Sequence, residues 1–109
     1  SIFFTGATAS IRGSSGFSAF ASAKFALRAL SQSMARELGP QGIHVAHFII
    51  DGAIDTAFIK ENFPERYALK EKDGILSPEH IAETYWNIHT QRRTAWTHEI
   101  DLRPYMEKF

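Results

Sequence analysis

Residues Ser18 to Ala26 read Ser-Ala-Phe-Ala-Ser-Ala-Lys-Phe-Ala. An aromatic ring, Phe20, stands four residues before Lys24, with only small residues between them. On a helix, positions i and i+4 share one face, a turn apart. A lysine among alanines and phenylalanines is costly to bury unless its ammonium is engaged. Ala21, Ala23, Ala26, Leu27, Leu30, Met34 and Ala35 supply helix propensity and an apolar surface. The pattern predicts a long helix from about Ser18 to Leu38. Gly39-Pro40 should end it, a glycine just past the last turn and then a residue that cannot continue.

Outward from this helix, the apolar segments on either side read as buried strands. Ile2 to Thr5 is a short one, followed by a Gly-, Ser-, Ala- and Thr-rich loop from Gly6 to Gly16. Ile43 to Ile50 is nearly continuous in apolar residues, as a strand covered on both faces should be. Asp51-Gly52 breaks it, and a charged, aromatic loop with short helical turns runs through Lys60, Pro64, Lys70 and Gly74. Ser77-Pro78-Glu79 then starts a second helix, with a hydroxyl N-cap, proline at N1 and an acid near the positive dipole end. Ile81, Tyr85 and Ile88 form its expected buried stripe. Trp96, His98, Ile100 and Leu102 alternate with Thr97, Glu99, Asp101 and Arg103, which predicts a third strand.

Strand, helix, strand, helix, strand is a βαβαβ pattern, and it implies a parallel sheet with right-handed crossovers. The expected fold class is α/β, the C-terminal half of a three-layer Rossmann-like parallel sheet, with residues 1–109 as one unit. Ligands in such sheets bind at the carboxyl ends of the strands. Here those ends are Thr5-Gly6, Asp51-Gly52 and Leu102-Arg103.

Composition narrows the classes of function. The chain has 109 residues, enough for one small domain, and is 44% hydrophobic. Its formal net charge is zero, which gives no argument for nucleic acid or an anionic membrane surface. It has no cysteine, so disulfides and thiolate metal sites are excluded. No apolar run approaches the ~20 residues of a membrane-spanning helix. No signal peptide is visible, and a cytoplasmic location is the default expectation. The chain lacks an initiator methionine and opens inside the apolar run Ile2-Phe3-Phe4. It reads as a fragment or a processed chain, with an arbitrary boundary as the alternative. His44 and His47 are three apart on a strand, so they face opposite ways and do not share a metal. Arg92-Arg93 reads as a solvated loop.

Phe20-x-x-x-Lys24 resembles the Tyr-x-x-x-Lys helix of the short-chain dehydrogenase/reductases. The likeness extends along the chain. Ile2 to Gly6 resembles the family's fifth strand, and Ala35-Arg36-Glu37-Leu38-Gly39-Pro40-Gln41-Gly42-Ile43-His44-Val45 resembles its helix-to-strand link. Asp51-Gly52-Ala53-Ile54-Asp55-Thr56 resembles its Pro-Gly-x-x-x-Thr loop. The resemblance implies NAD or NADP as cofactor of a full-length parent, with Lys24 on the nicotinamide ribose. It also implies that Gly52, Ile54 and Thr56 lie in the loop against the nicotinamide carboxamide and phosphates. The residues to about Gly74 would be a substrate lid, and the 18–38 helix part of a homo-oligomer interface. The substrate class implied is a small carbonyl or alcohol.

The departures are as informative. Phe20 takes the place of the family's tyrosine, which donates and accepts the proton, and a phenyl ring cannot. It reads as a filled pocket position. Thirteen positions earlier, where the family has its catalytic serine, stands Ala7, with Thr5, Thr8 and Ser10 nearby. Asp51 replaces the loop proline. Nothing resembles the glycine-rich pyrophosphate cradle, so the isolated chain is expected to bind no dinucleotide. Lys24 reads either as a ribose ligand or as a solvated surface lysine. The parent reads either as an oxidoreductase whose proton is managed by water, substrate or a loop hydroxyl such as Thr8 or Ser10, or as a structural or dinucleotide-binding homologue without catalysis.

Overall fold

A computed structural model describes all residues from 1 to 109. The apolar runs form three strands, β1 (Ile2–Ala7), β2 (Val45–Ile50) and β3 (Glu99–Leu102). They make one parallel sheet in the order β1-β2-β3. The crossover from β1 to β2 carries α1 (Ser18–Leu38). The crossover from β2 to β3 holds two short helices, α2 (Ala57–Asn62) and α3 (Pro64–Tyr67), then a 3-10 turn over Ala68–Lys72, and ends in α4 (Pro78–His89). The βαβαβ expectation therefore holds, and the outer edge of β1 is unpaired.

Every residue of β2 is buried, as its apolar composition requires. Alternation sorts its side chains between the two faces. Ala46, Phe48 and Ile50 join Leu76 and Ile88 in the apolar core, with Phe3, Ile81, Tyr85, Ile100 and Leu102 packed around them. The Tyr85 ring stacks on Phe48 with centroids 3.7 Å apart, so α4 covers this face. His47 points the other way, toward α1. No helix is long and apolar enough to cross a membrane.

Several boundaries differ from the sequence reading, each for a local reason. β1 runs on through Gly6 and Ala7, because their partners Ile49 and Ile50 continue the ladder. A 3-10 turn, Thr8–Ser10, then replaces part of the expected loop. Ile43 and His44 precede β2, and Trp96 to His98 precede β3. Gly39 does not terminate α1 with a left-handed residue. It stays helical at φ −53 and opens a 3-10 turn, Gly39–Gln41, and the left-handed glycine is Gly42 at φ 82. Ser77 occupies the N-cap of α4, but its hydroxyl donates to the Glu79 carboxylate at 3.0 Å rather than bonding the helix backbone.

Candidate functional site

Parallel register sets Ala7 beside Ile50 and Ile50 beside Leu102. The residues just beyond each strand, Thr8, Asp51 and Arg103, consequently meet. Thr8 Oγ1 donates to Asp51 Oδ1 at 2.5 Å, and Arg103 Nε donates to Asp51 Oδ2 at 3.4 Å. The Asp51 N–H donates to the Leu102 carbonyl at 2.8 Å, which anchors the residue to the ladder. Asp51 is 1% exposed. A buried carboxylate persists only with compensating donors, and here a hydroxyl and a guanidinium provide them. Arg103 also pairs with Asp101, and its guanidinium carbon lies 3.6 Å from the centre of the Phe109 ring.

Lys24 approaches the same strand ends from α1. Its Nζ donates to the Thr5 carbonyl at 3.1 Å and lies 5.7 Å from the centre of the Phe20 ring. The two side chains share one helix face, as their spacing predicts. An ammonium has three donors and the protein engages one. Phe20 does not fill a pocket, because its ring points outward from α1 and the residue is 49% exposed.

The three hydroxyls near the strand end have different fates. Thr5 Oγ1 hydrogen-bonds the Tyr85 phenol at 2.7 Å on the α4 face, away from Lys24. Burial pushes that phenol above the ordinary tyrosine value, against the opposing effect of Thr5. Ser10 is fully buried, and its Oγ accepts from the Ala7 N–H at 3.0 Å. Thr8 alone is half-buried at the mouth formed by the strand ends. Ala7 itself has no hydroxyl to offer.

The loop after Asp51 is shaped by contacts within the chain. Gly52 adopts φ 144, and a Cβ there would stand 2.9 Å from Pro104 Cδ. Ile54 bridges to Leu76 and turns toward the apolar core. Thr56 Oγ1 accepts from the Ile59 N–H at 3.3 Å and caps α2. Lys70 pairs with Asp55 at 2.9 Å, and this partner raises the lysine's pKa above its ordinary value. Of the residues named from the sequence, Lys24 bonds the Thr5 carbonyl beside Phe20, Thr8 bonds Asp51 next to Gly52, Ile54 packs on the core and Thr56 caps α2.

A second polar group lies beneath the first, and no local pattern in the sequence signals it. Arg28 donates to both oxygens of Glu99 at 2.9 and 2.8 Å, and His47 Nδ1 meets Glu99 Oε2 at 3.0 Å. Burial pushes the Glu99 carboxyl up, but Arg28 and His47 outweigh it and hold the carboxyl below the ordinary glutamate range. His47 is wholly buried and its Nε2 has no partner. It lies under Gly6, where a Cβ would come within 2.6 Å of Ser10 Oγ and closer still to that ring nitrogen. Gly6 is therefore required by close approach. His44 faces the opposite side, stacked on Trp96 with centroids 4.6 Å apart.

Comparison with known proteins bears on this geometry. The family model described as short chain dehydrogenase matches residues 1–67. A solved short-chain dehydrogenase from Rhodopseudomonas palustris is 50% identical, with a TM-score of 0.69 over 95% of this chain and 38% of that one. The closed form of a serine dehydrogenase complexed with NADP+ has a TM-score of 0.78 at 15% identity, over 99% of this chain and 45% of its own. The TT0495 protein from Thermus thermophilus has a TM-score of 0.69 at 20% identity, over 94% and 46%. The last two similarities concern fold alone. The chain spans less than half the length of each of these structures. No curated protein matches it.

Proposed function

The chain belongs to the short-chain dehydrogenase family, and we propose that the full-length protein is an NAD(P)-dependent oxidoreductase acting on a small carbonyl or alcohol. The observation that carries this reading is Lys24. Its ammonium reaches β1, makes one hydrogen bond to the Thr5 carbonyl, and keeps two donors for a ribose diol. Lys24 would hold the ribose, and the backbone around Gly52 would lie beside the nicotinamide ring. The pyrophosphate cradle is not among these residues, so the 109 residues alone should not hold the dinucleotide. When bound, the nicotinamide carries the hydride. The chain's own side chains position the substrate and handle the proton.

A second reading draws support from Phe20, which has no proton to give. It makes the protein a dinucleotide-binding homologue without turnover. A cytoplasmic location and a homo-oligomer joined through α1 accompany either reading. Fluorescence titration of the full-length protein with NADH and NADPH tests both. Micromolar binding of one of them, weakened about tenfold by Lys24→Ala through the lost charge-assisted hydrogen bonds, is expected. Absence of binding to the full-length protein would overturn both readings. Binding without turnover of any alcohol or carbonyl would favour the second.

A further inference from the structure

The structure leaves one hydroxyl with a base behind it at the strand ends. We infer that Thr8 and Asp51 form a proton relay that replaces the missing phenol of Phe20; this rests on the oxidoreductase reading above. The geometry separates Thr8 from its neighbours in the chain. Thr5 is bonded to Tyr85 on the far face, Ser10 is sealed beneath Gly6, and Ala7 has no oxygen. The Thr8 hydroxyl proton is committed to Asp51 Oδ1 at 2.5 Å, which leaves the oxygen's lone pairs free to accept from a substrate hydroxyl.

Asp51 is the base. Its carboxylate is buried to 1% exposure, and one of its oxygens accepts from the half-buried Thr8 hydroxyl. Arg103 on its other oxygen keeps a counter-charge nearby. In alcohol oxidation the substrate O–H bond breaks and its proton goes to Thr8 Oγ1. At the same time the Thr8 O–H bond breaks and that proton goes to Asp51 Oδ1. The hydride that leaves carbon as the C=O bond forms would be taken up by an oxidised nicotinamide, whose ribose Lys24 would hold. Reduction runs the same transfers backwards, with Asp51 starting protonated. Thr8 is a catalytic residue in this scheme, and Arg103 a positioning residue.

The test uses the full-length protein, a panel of secondary alcohols and both oxidised nicotinamides. It compares the parent with Thr8→Val, Thr8→Ser and Asp51→Asn. General acid–base help contributes roughly 10²–10⁴-fold, so Thr8→Val and Asp51→Asn should each lose at least about 100-fold in kcat. Thr8→Ser, which keeps a hydroxyl, should recover at least about tenfold of that loss. Independently of turnover, 19F NMR with a fluorinated secondary alcohol should show binding weakened about threefold or more in Thr8→Val, as loss of one hydrogen bond predicts. Should Asp51→Asn fail to fold, the Val and Ser pair at Thr8 decides alone. Parental turnover in Thr8→Val would overturn the relay while leaving the oxidoreductase reading intact. Nicotinamide binding with no turnover would also overturn it, and would leave only dinucleotide binding. No nicotinamide binding at all would remove both.

Discussion

Lys24 and Phe20 stand one turn apart on α1, with the ammonium 5.7 Å from the centre of the ring and bonded to the Thr5 carbonyl of β1. A phenol introduced by Phe20→Tyr would therefore extend from a half-exposed ring beside a positive charge. Nearby positive charge favours the phenolate. In ultraviolet difference titration the new phenol should ionise below the three native tyrosines. In a Thr8→Val background, where the relay is cut, the added phenol should raise carbonyl reduction by the full-length protein about 100-fold, at the lower end of general-acid effects. A new phenol that ionises at the ordinary tyrosine value would show that Lys24 does not act on this position.

Glu99 provides a pH test. Its folded-state pKa is lowered, so its contribution to stability is present above the ordinary glutamate value. That contribution is lost as pH falls below that value through the lower folded one. Glu99→Gln should cost about 1 kcal/mol at neutral pH, a modest figure because the Arg28 pair is partly exposed. The gap between the two denaturation curves should narrow steadily in acid. A gap that is constant from neutral pH into strong acid would contradict the assigned network.

Gly6 tests close packing over His47. Gly6→Ala drives a methyl group into a buried ring nitrogen that has no room to retreat. Overpacking of this kind costs about 1–3 kcal/mol, and the upper part of that range is expected here. Urea denaturation of the variant measures it, and an unchanged midpoint would show that His47 and Ser10 yield freely.

The exposed side of α1 tests association. Leu30 is 48% exposed, and Phe20 and Phe25 on the same helix are exposed as well. If α1 forms an interface between copies, Leu30→Glu should shift the full-length protein to a smaller species by light scattering. An unaltered mass would remove α1 from the interface.

Much of this arrangement is legible from local pattern. α1 is bounded at Ser18 and Leu38 as its composition predicts, and β2 follows from its apolar run. The carboxyl ends of the strands are also readable, and Asp51 stands out as a departure at the loop proline. Partnership across the sheet is not. Asp51 and Arg103 are 52 residues apart, and Arg28 and Glu99 are 71 apart. Nothing local to either residue names the other. Gly39 misleads because a glycine next to a proline looks like a helix stop, whereas the left-handed turn falls three residues later at Gly42.

The division of β2 between two unlike faces also locks the alignment of the sheet. Parallel strands have no hairpin turn to set their offset, so side-chain chemistry must do it. A shift of β2 by one position would thrust His47 among Phe3, Ile88 and Tyr85 and turn Phe48 toward the Glu99 carboxylate and Arg28. The imidazole would lose its acceptor and the ring would displace an ion pair. Each misaligned pairing thus carries two penalties at adjacent residues, and the native alignment is protected by chemical contrast rather than by hydrophobicity alone.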